Sequence, residues 1–302
     1  MADTQFHLFL PQMRMSIETL VEKTTAAEES GFEGMALMDH LAPPGAENHD
    51  MWESVTTATW LLAHTRHIKL GHLVLCDSLR HPAVLARQAV TLDHASGGRF
   101  ELGIGWGSVP SELTTFGVGS TDAGYRVDRL EETLDVLLAL WSGEPVDYDG
   151  RHFKLSGAQQ RPTPTGRIPV TIGGVGPRTL QLVAKYADWW NVPVHRLDKL
   201  DELRPRTGSA RISTQHMVTF IGNESERSAL TETAQRRFGG SSLEKGMLIG
   251  NAAELTDTFA ALHERGIERF YVWFSDFATV ATIEKFGHDV IGSFTTKTSD
   301  SF

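Results

Sequence analysis

One stretch of the chain shows the strand–helix–strand order that decides the fold. Residues 68–105 have the sequence IKLGHLVLCDSLRHPAVLARQAVTLDHASGGRFELGIG. The apolar run from Ile68 to Leu75 predicts a strand, and Pro82 suits the first position of a helix. Gly97-Gly98 ends that helix, and Arg99 to Gly105 predicts the next strand. Apolar runs without strict alternation are typical of parallel strands buried on both faces.

The same alternation continues in both directions along the chain. Earlier strands are predicted at Phe6 to Leu10 and at Gly34 to Met38. Further strands follow the opening stretch, at residues 168–172, 188–192, 212–220 and 269–274. Helices are predicted between most of these strands, at about 16–31, 52–64, 122–141, from Pro177 and at 252–265. Eight strands predict a (β/α)8 TIM barrel, and a doubly wound open sheet is the alternative.

One segment interrupts the strand–helix rhythm. Residues 144–156 predict a small hairpin around Asp149-Gly150. We therefore expect an insertion after the fourth strand, at about residues 106–167. Because barrels of ~250 residues form one domain, we expect residues 1–302 to form a single domain.

Composition limits the classes of function. The 302 residues carry 28 basic and 38 acidic side chains, for a net charge of −10. That balance disfavours a nucleic-acid partner and an anionic membrane surface, because both need a basic face. The single cysteine, Cys76, excludes an intrachain disulfide and a cysteine-built metal site, and it fits a reducing cytoplasm. The longest nearly apolar helical run, Leu134 to Trp141, is too short to cross a bilayer. We expect a cytoplasmic protein.

Two polar residues directly follow the second predicted strand. In a barrel, Asp39 and His40 would border the pocket, because active residues lie at the carboxyl ends of the strands. A histidine there can act as general acid or base, and the adjacent Asp39 could orient it or bind a ligand hydroxyl. The alternative is a surface pair that caps the next segment.

Glycines close the fourth and fifth predicted strands. Residues 103–108 (GIGWGS) allow a close approach of backbone to ligand, or a bulge with Trp106 buried. They are no dinucleotide fingerprint, because Ser108 stands where the third glycine belongs. Residues 173–179 (GGVGPRT) lead from strand to helix, where free amides and the charge of Arg178 would form a phosphate site. The alternative is a glycine turn with Pro177 at the first helical position.

A metal hydrolase is disfavoured. Such barrels carry a His-x-His pair on one strand, and the first strand here has only His7. We interpret His7, His72 and His216 as core or pocket-lining residues and expect no metal site.

Several motifs together carry a family resemblance. Residues 85–93 (LARQAVTLD) and 96–106 (SGGRFELGIGW) resemble the hallmark stretch of the bacterial luciferase-like monooxygenase superfamily. Further similar motifs follow in the family's order, at residues 129–132, 140–143, 148–150, 172–174, 176–178 and 187–191.

The resemblance implies a barrel that binds reduced FMN or the deazaflavin coenzyme F420 at its carboxyl mouth. It implies a phosphate turn formed by Gly173, Gly174, Val175, Gly176, Arg178 and Thr179. It places Gly105, Gly107 and Ser108 near the ribityl chain or ring, Asp39 against the same region, and His40 as the proton donor. In the deazaflavin-using members, a bulge with a non-prolyl cis peptide lies behind the ring and aligns with Leu73-Val74.

The Asp39-His40 pair resembles the deazaflavin branch, which slightly favours coenzyme F420. We therefore expect an oxidoreductase that transfers a hydride to or from a small organic substrate. One alternative is an FMN-dependent monooxygenase that uses O2 and reduced flavin from a partner reductase, and another is a non-catalytic flavin-binding protein. Sugar-phosphate dehydrogenases of the branch carry a glutamate where this chain has Ser108, which argues against glucose-6-phosphate activity. Glu112 could substitute as an acid or base, although a solvated helix position is the default.

The remaining expectations concern the substrate and assembly. We expect the substrate pocket to include His7, Trp106, Glu112 and Asn191. An apolar or amphipathic substrate is suggested by Trp106, Trp189 and Phe116. The family analogy implies a homodimer or larger homo-oligomer, formed through helices that follow the early strands.

Overall fold

A ring of parallel strands forms the centre of the protein, which a computed structural model describes for residues 4–240 and 244–295. The strands in chain order are β1 (Gln5–Phe9), β2 (Gly34–Leu37), β3 (Lys69–His72), β4 (Leu75–Cys76), β5 (Leu102–Gly105), β6 (Val146–Asp149), β7 (Lys154–Ala158), β8 (Val170–Gly173), β9 (Trp189–Val192), β10 (Arg211–Phe220), β11 (Leu248–Gly250) and β12 (Arg269–Phe274).

The order of hydrogen-bonded strands is β3-β2-β1-β12-β10-β9-β8-β5-β4. The two ends of this path, β3 and β4, are successive pieces of one strand separated only by Leu73 and Val74. A parallel bridge between Leu70 and Phe100 joins the two sides at the same place. The path therefore returns to its start, and the eight-stranded barrel is confirmed while the open doubly wound sheet is wrong.

Helices surround the ring. They are α1 (Ile17–Glu29), α2 (Ser54–Ala63), α3 (Pro82–Ser96), α4 (Pro110–Thr115), α5 (Ala123–Trp141), α6 (Pro177–Tyr186), α7 (Leu200–Leu203), α8 (Arg227–Phe238), α9 (Ala252–Glu264), α10 (Val280–Phe286) and α11 (Gly292–Thr295). Local chemistry sets several starts: the side chain of Ser16 caps α1, that of Asp122 caps α5, and Pro82 and Pro177 occupy first turns.

The structure departs from the sequence prediction at the third strand and in several short elements, and it confirms the predicted hairpin. The predicted third strand is split at Leu73-Val74, because β3 pairs with β2 whereas β4 pairs with β5. Short helix α4 and polar helix α8 carry no apolar stripe long enough to predict them. The predicted hairpin is present, since β6 and β7 pair antiparallel between β5 and β8.

The amino end of the barrel interior is polar. Glu101 and Arg269 form a buried bidentate ion pair there, with nitrogen–oxygen distances of 2.6 and 3.1 Å. The Arg269 guanidinium also lies 3.9 Å from the centre of the Trp189 ring. This network closes the end of the barrel opposite the site described below. Trp189 belongs to the network and therefore does not line the substrate pocket, although the sequence had suggested that it would. Within the described residues, no helix is long and apolar enough to cross a membrane.

Candidate active site

A cavity of about 460 Å³ opens at the carboxyl ends of the barrel strands. That volume is in the range of small-molecule sites. The cavity is lined by Asp39, His40, Leu73, Val74, Leu75, Cys76, Gly105, Trp106, Gly107, Ser108, Val109, Glu112, Leu113, Gly173, Gly174, Val175, Gly176, Thr179, Asn191 and Gln215. These residues come from strands of the barrel, from the segments that follow those strands and from helices α4 and α6, so the barrel brings together segments far apart in sequence.

Most residues predicted for the site line this cavity, but two do not. Arg178 points away, because its guanidinium pairs with Asp128 on α5 and is half exposed. The positive charge expected at the phosphate turn is thus neutralised by a carboxylate fifty residues earlier. His7 is buried beside Tyr271, where burial and then Arg269 lower its pKa well below the ordinary value. Its side chain belongs to the barrel interior and not to the cavity lining.

His40 and Glu112 form a hydrogen-bonded pair at the cavity. His40 Nδ1 lies 3.1 Å from Glu112 Oε2, and Glu112 Oε1 accepts from the backbone amides of Leu41 at 2.6 Å and Ala42 at 3.2 Å. Glu112 is 9% exposed. The expectation of a solvated helix position for Glu112 is therefore wrong, because α4 turns this carboxylate inward onto the loop after β2.

Asp39 is buried in a network of protein donors. Its oxygens accept from Arg80 at 2.5 and 2.9 Å, from Ser54 Oγ at 2.6 Å and from the Cys76 amide at 2.8 Å. Burial alone would raise the pKa of Asp39, but Arg80 and then Ser54 outweigh it and lower that pKa below its ordinary value. With both oxygens engaged, Asp39 joins the end of β2 to the segment after β4 and has little capacity left for a ligand.

The split third strand forms one wall of the cavity. The peptide bond between Leu73 and Val74 is cis, as the resemblance implied for this position. A Cβ on Gly105 would lie 2.8 Å from Val74 Cγ2, so the adjacent strand needs glycine here to pack against the bulge. Cys76 lies in the same wall, where burial raises the pKa of its thiol to about 11.

Trp106 joins the two glycine segments of the cavity. Its Nε1 donates to Thr179 Oγ1 at 3.4 Å, on the helix that follows the fifth barrel strand. Behind it, the buried guanidinium of Arg126 lies 4.7 Å from the Trp106 ring centre. Arg126 also donates to the carbonyl oxygens of Trp106 and Gly107 at 3.2 and 2.9 Å. Residues 106–108 are therefore held in a fixed turn beside the cavity.

The turn between β8 and α6 presents bare backbone to the cavity. Gly174 has φ +116°, which a side-chain-bearing residue would adopt only with strain. A Cβ on Gly173 would meet nothing closer than 3.7 Å, so packing alone does not require glycine there. Among the described residues, no side chain caps α6 at Gly176, and the first-turn amides are left for another acceptor. Such a turn suits a phosphate group.

Buried histidines elsewhere do not form a metal centre. Burial lowers the pKa of His72 and of His216 to about 4, so both are neutral at physiological pH. In residues 4–240 and 244–295, no three His, Cys, Asp or Glu side chains cluster closely enough to hold a metal ion.

Comparison with known proteins identifies the family. A family model described as luciferase-like monooxygenase matches residues 3–211. The chain belongs to the luciferase-like monooxygenase family. The region matched to this family contains every residue that lines the cavity except Gln215.

Curated relatives and solved structures extend this finding. An F420-dependent glucose-6-phosphate dehydrogenase of Nakamurella multipartita is 32% identical over 173 residues, which cover 56% of this chain and 50% of that protein. The chain thus spans about half the length of the curated relatives it matches. An F420-dependent secondary alcohol dehydrogenase in complex with an F420-acetone adduct has a TM-score of 0.78 at 19% identity, covering 96% of this chain and 98% of that one. The EDTA monooxygenase of Chelativorans sp. BNC1 has a TM-score of 0.83 at 14% identity, covering 98% and 94%. These structures share the luciferase-like fold with this chain.

Sequence reasoning missed parts of this luciferase-like site. Gln215 lies in the middle of β10, and its only signal is one amide side chain inside a buried strand. Leu75, Cys76, Val109 and Leu113 also line the cavity, and their apolar character is ordinary for a core.

Proposed function

We propose that this chain is an oxidoreductase that uses coenzyme F420 to transfer a hydride to or from a small organic substrate. The observation that carries the proposal is the His40–Glu112 pair, placed in one cavity with a bare glycine turn suited to a phosphate. Curated relatives at 32 to 35% identity that are named F420-dependent support the choice of coenzyme over FMN.

The residues of the cavity fit a flavin-like group. The bare backbone at Gly173 and Gly176 leaves room for a phosphate beside the amides that open α6. Leu73, Val74 and Trp106 offer apolar surface for a planar ring. When bound, coenzyme F420 would supply the two-electron hydride carrier.

The protein supplies the proton step and the positioning. His40 Nδ1 is occupied by Glu112, so Nε2 is the ring nitrogen left to exchange a proton with substrate. In alcohol oxidation the hydride leaves the carbinol carbon, the carbonyl bond forms, and the hydroxyl proton passes to Nε2. In the reverse direction, protonated His40 returns that proton to the oxygen as the hydride reaches the carbonyl carbon.

We further propose an uncharged alcohol or carbonyl compound as substrate. Among the described residues that line the cavity, the ionisable side chains are Asp39, His40, Cys76 and Glu112, with no lysine or arginine. A sugar phosphate would bring two negative charges toward the Glu112 carboxylate without a cationic partner. Leu41, which follows His40, and Phe116, which follows α4, carry exposed apolar side chains, and these favour a substrate with apolar surface.

Paired titrations test the cofactor. The purified protein is titrated with coenzyme F420 and with FMN while quenching of each ligand's fluorescence is followed. We expect saturable quenching with coenzyme F420, followed by loss of its absorbance when secondary alcohols are added and no response to glucose-6-phosphate. Binding of FMN alone, with O2 consumption when a reductase is supplied, would establish the monooxygenase alternative. Binding without electron transfer under any donor would identify a non-catalytic flavin-binding protein.

We also propose that two copies pair through the face formed by α2 and α3. A groove of about 920 Å³ lies there, with Trp52 and Trp60 40% and 50% exposed. Large exposed apolar side chains on a charged protein favour burial against a partner. Light scattering should give the mass of a dimer for the wild type and of a monomer for Trp60→Glu. Leu138→Glu, an exposed position outside the groove, is the control and should leave the mass unchanged.

A cytoplasmic location remains part of the proposal, supported by the single free cysteine.

A further inference from the structure

We propose that Glu112 is a positioning residue that fixes His40 in the tautomer with its proton on Nδ1, leaving Nε2 bare toward the cavity. The inference rests on the proposed function, because it explains how His40 is prepared to accept a proton from substrate.

The hydrogen bonds of Glu112 decide the direction of the contact with His40. Oε1 already accepts from the amides of Leu41 and Ala42. An ionised carboxylate only accepts hydrogen bonds, so the hydrogen between Glu112 Oε2 and His40 Nδ1 must come from the imidazole. The other ring nitrogen, Nε2, then carries a lone pair.

Burial strengthens the preference of His40 for the tautomer with its proton on Nδ1. The side chains of His40 and Glu112 are 16% and 7% exposed, so little water competes for their contact. The same carboxylate also holds the backbone at Leu41 and Ala42, which keeps the imidazole at the cavity edge.

One substitution separates the tautomer from the backbone contacts. In Glu112→Gln the side chain keeps its size, and its amide oxygen can still accept from Leu41 and Ala42. The amide nitrogen then faces His40 Nδ1 and donates to it, so the imidazole must carry its proton on Nε2. The variant therefore reverses the tautomer while preserving the loop.

The first test reads the tautomer in the protein without coenzyme. Long-range proton–nitrogen NMR spectra of histidine-labelled protein are recorded at about pH 8.5, well above the ordinary histidine pKa of about 6.5. The His40 signals are assigned by their loss in His40→Asn. We expect a protonated Nδ1 and a bare Nε2 in the wild type and the reverse in Glu112→Gln. A wild-type His40 with its proton on Nε2 would overturn the proposal, even if the variant failed to fold.

The second test measures alcohol oxidation with coenzyme F420. Glu112→Gln should lower kcat about 100-fold, while KM for the alcohol and Kd for the coenzyme stay unchanged. Glu47→Gln is the control, because this exposed carboxylate accepts a hydrogen bond from the Gly45 amide on the same loop and does not line the cavity. An active wild type with an equally active Glu112→Gln would refute the role of Glu112. A wild type inactive on every alcohol would instead refute the proposed function, and the NMR result would still decide the tautomer.

Discussion

Asp39 and Arg80 share two hydrogen bonds behind the wall of the cavity, at 2.5 and 2.9 Å. Asp39 follows the second barrel strand, and Arg80 follows the second piece of the third strand. Because Asp39 also accepts from the Cys76 amide, one carboxylate fastens two neighbouring loops of the site. The Asp39–Arg80 pair supports the wall of the cavity. It is connected to His40 through the peptide bond between Asp39 and His40.

The first prediction concerns the stability of this pair. Asp39→Asn removes the more buried of the two carboxylates that pair with the largely buried Arg80, the other being Glu53, so we expect the free energy of unfolding to fall by about 2–4 kcal/mol. Urea denaturation measures the change. Asp149→Asn is the control, since that carboxylate is 85% exposed and pairs with an exposed Lys154. We expect no measurable effect from the control. Equal effects from both substitutions would contradict the framework role of Asp39.

The second prediction concerns acid stability. The folded-state pKa of Asp39 is lowered below the ordinary value of 3.8, so its contribution is fully present above that pH. The contribution is lost as the pH falls through the lowered folded-state pKa, where the carboxylate becomes protonated. The difference in unfolding free energy between wild type and Asp39→Asn should therefore be constant from neutral pH to about pH 5 and shrink below pH 4. A difference that grew in acid would contradict this sign.

The third prediction concerns the glycine turn. A Cβ on Gly173 would meet nothing closer than 3.7 Å, so Gly173→Ala should leave the melting temperature unchanged. The same methyl would enter the cavity and should raise Kd for coenzyme F420 tenfold or more, which corresponds to about 1.4 kcal/mol. Gly166→Ala is the matched control, because a Cβ there meets nothing within 4 Å and lies away from the cavity. Unchanged coenzyme binding by Gly173→Ala would show that the phosphate lies elsewhere.

The fourth prediction concerns His40. His40→Asn should lower kcat for alcohol oxidation by about 10²- to 10⁴-fold, the usual contribution of a general base, while Kd for the coenzyme changes little. His49→Asn, an exposed position on the same loop, should leave both constants unchanged. Stopped-flow absorbance of the coenzyme separates binding from hydride transfer. Wild-type turnover by His40→Asn would assign the proton step to another group.

The fifth prediction concerns Cys76. Because burial raises its pKa to about 11, the thiol stays protonated at neutral pH. We expect alkylation by iodoacetamide at about pH 8 to be at least ~100-fold slower in the folded protein than in urea, since the thiolate is the reactive form. The chain has one cysteine, so mass spectrometry reports this site alone. Comparable rates in the two states would show that the thiol is accessible and ionised.

Much of the barrel was predictable because parallel strands buried on both faces leave apolar runs between amphipathic helices. The split of the third strand was not predictable from pattern alone, since residues 68–75 form one apolar run. Only the pairing of β3 with β2 and of β4 with β5 distinguishes its two pieces.

The contacts made by the side chains of the site were less predictable from the sequence than the positions of those side chains. Position after a strand correctly placed Asp39 and His40 at the cavity, but the partners of each lie 41 and 72 residues away in sequence. Arg178 illustrates the same limit, because a positive charge near a phosphate turn gives no sign that Asp128 neutralises it. The contacts that set charge and orientation are long-range, and a local pattern does not encode them.

The exposed loop after His40 has a practical consequence for engineering. Glu112 holds its first residues, and the Trp52 amide donates to the Gln12 carbonyl at its far end, at 3.0 Å. The Arg14 amide also donates to the Asp50 carbonyl, at 3.0 Å. Between these anchors, backbone hydrogen bonds run from Ala46 to Pro43 and from His49 to Ala46. Residues 44–49 can therefore be treated as an exchangeable cassette, in which libraries of altered length and sequence should be tolerated without disturbing the chemistry beneath.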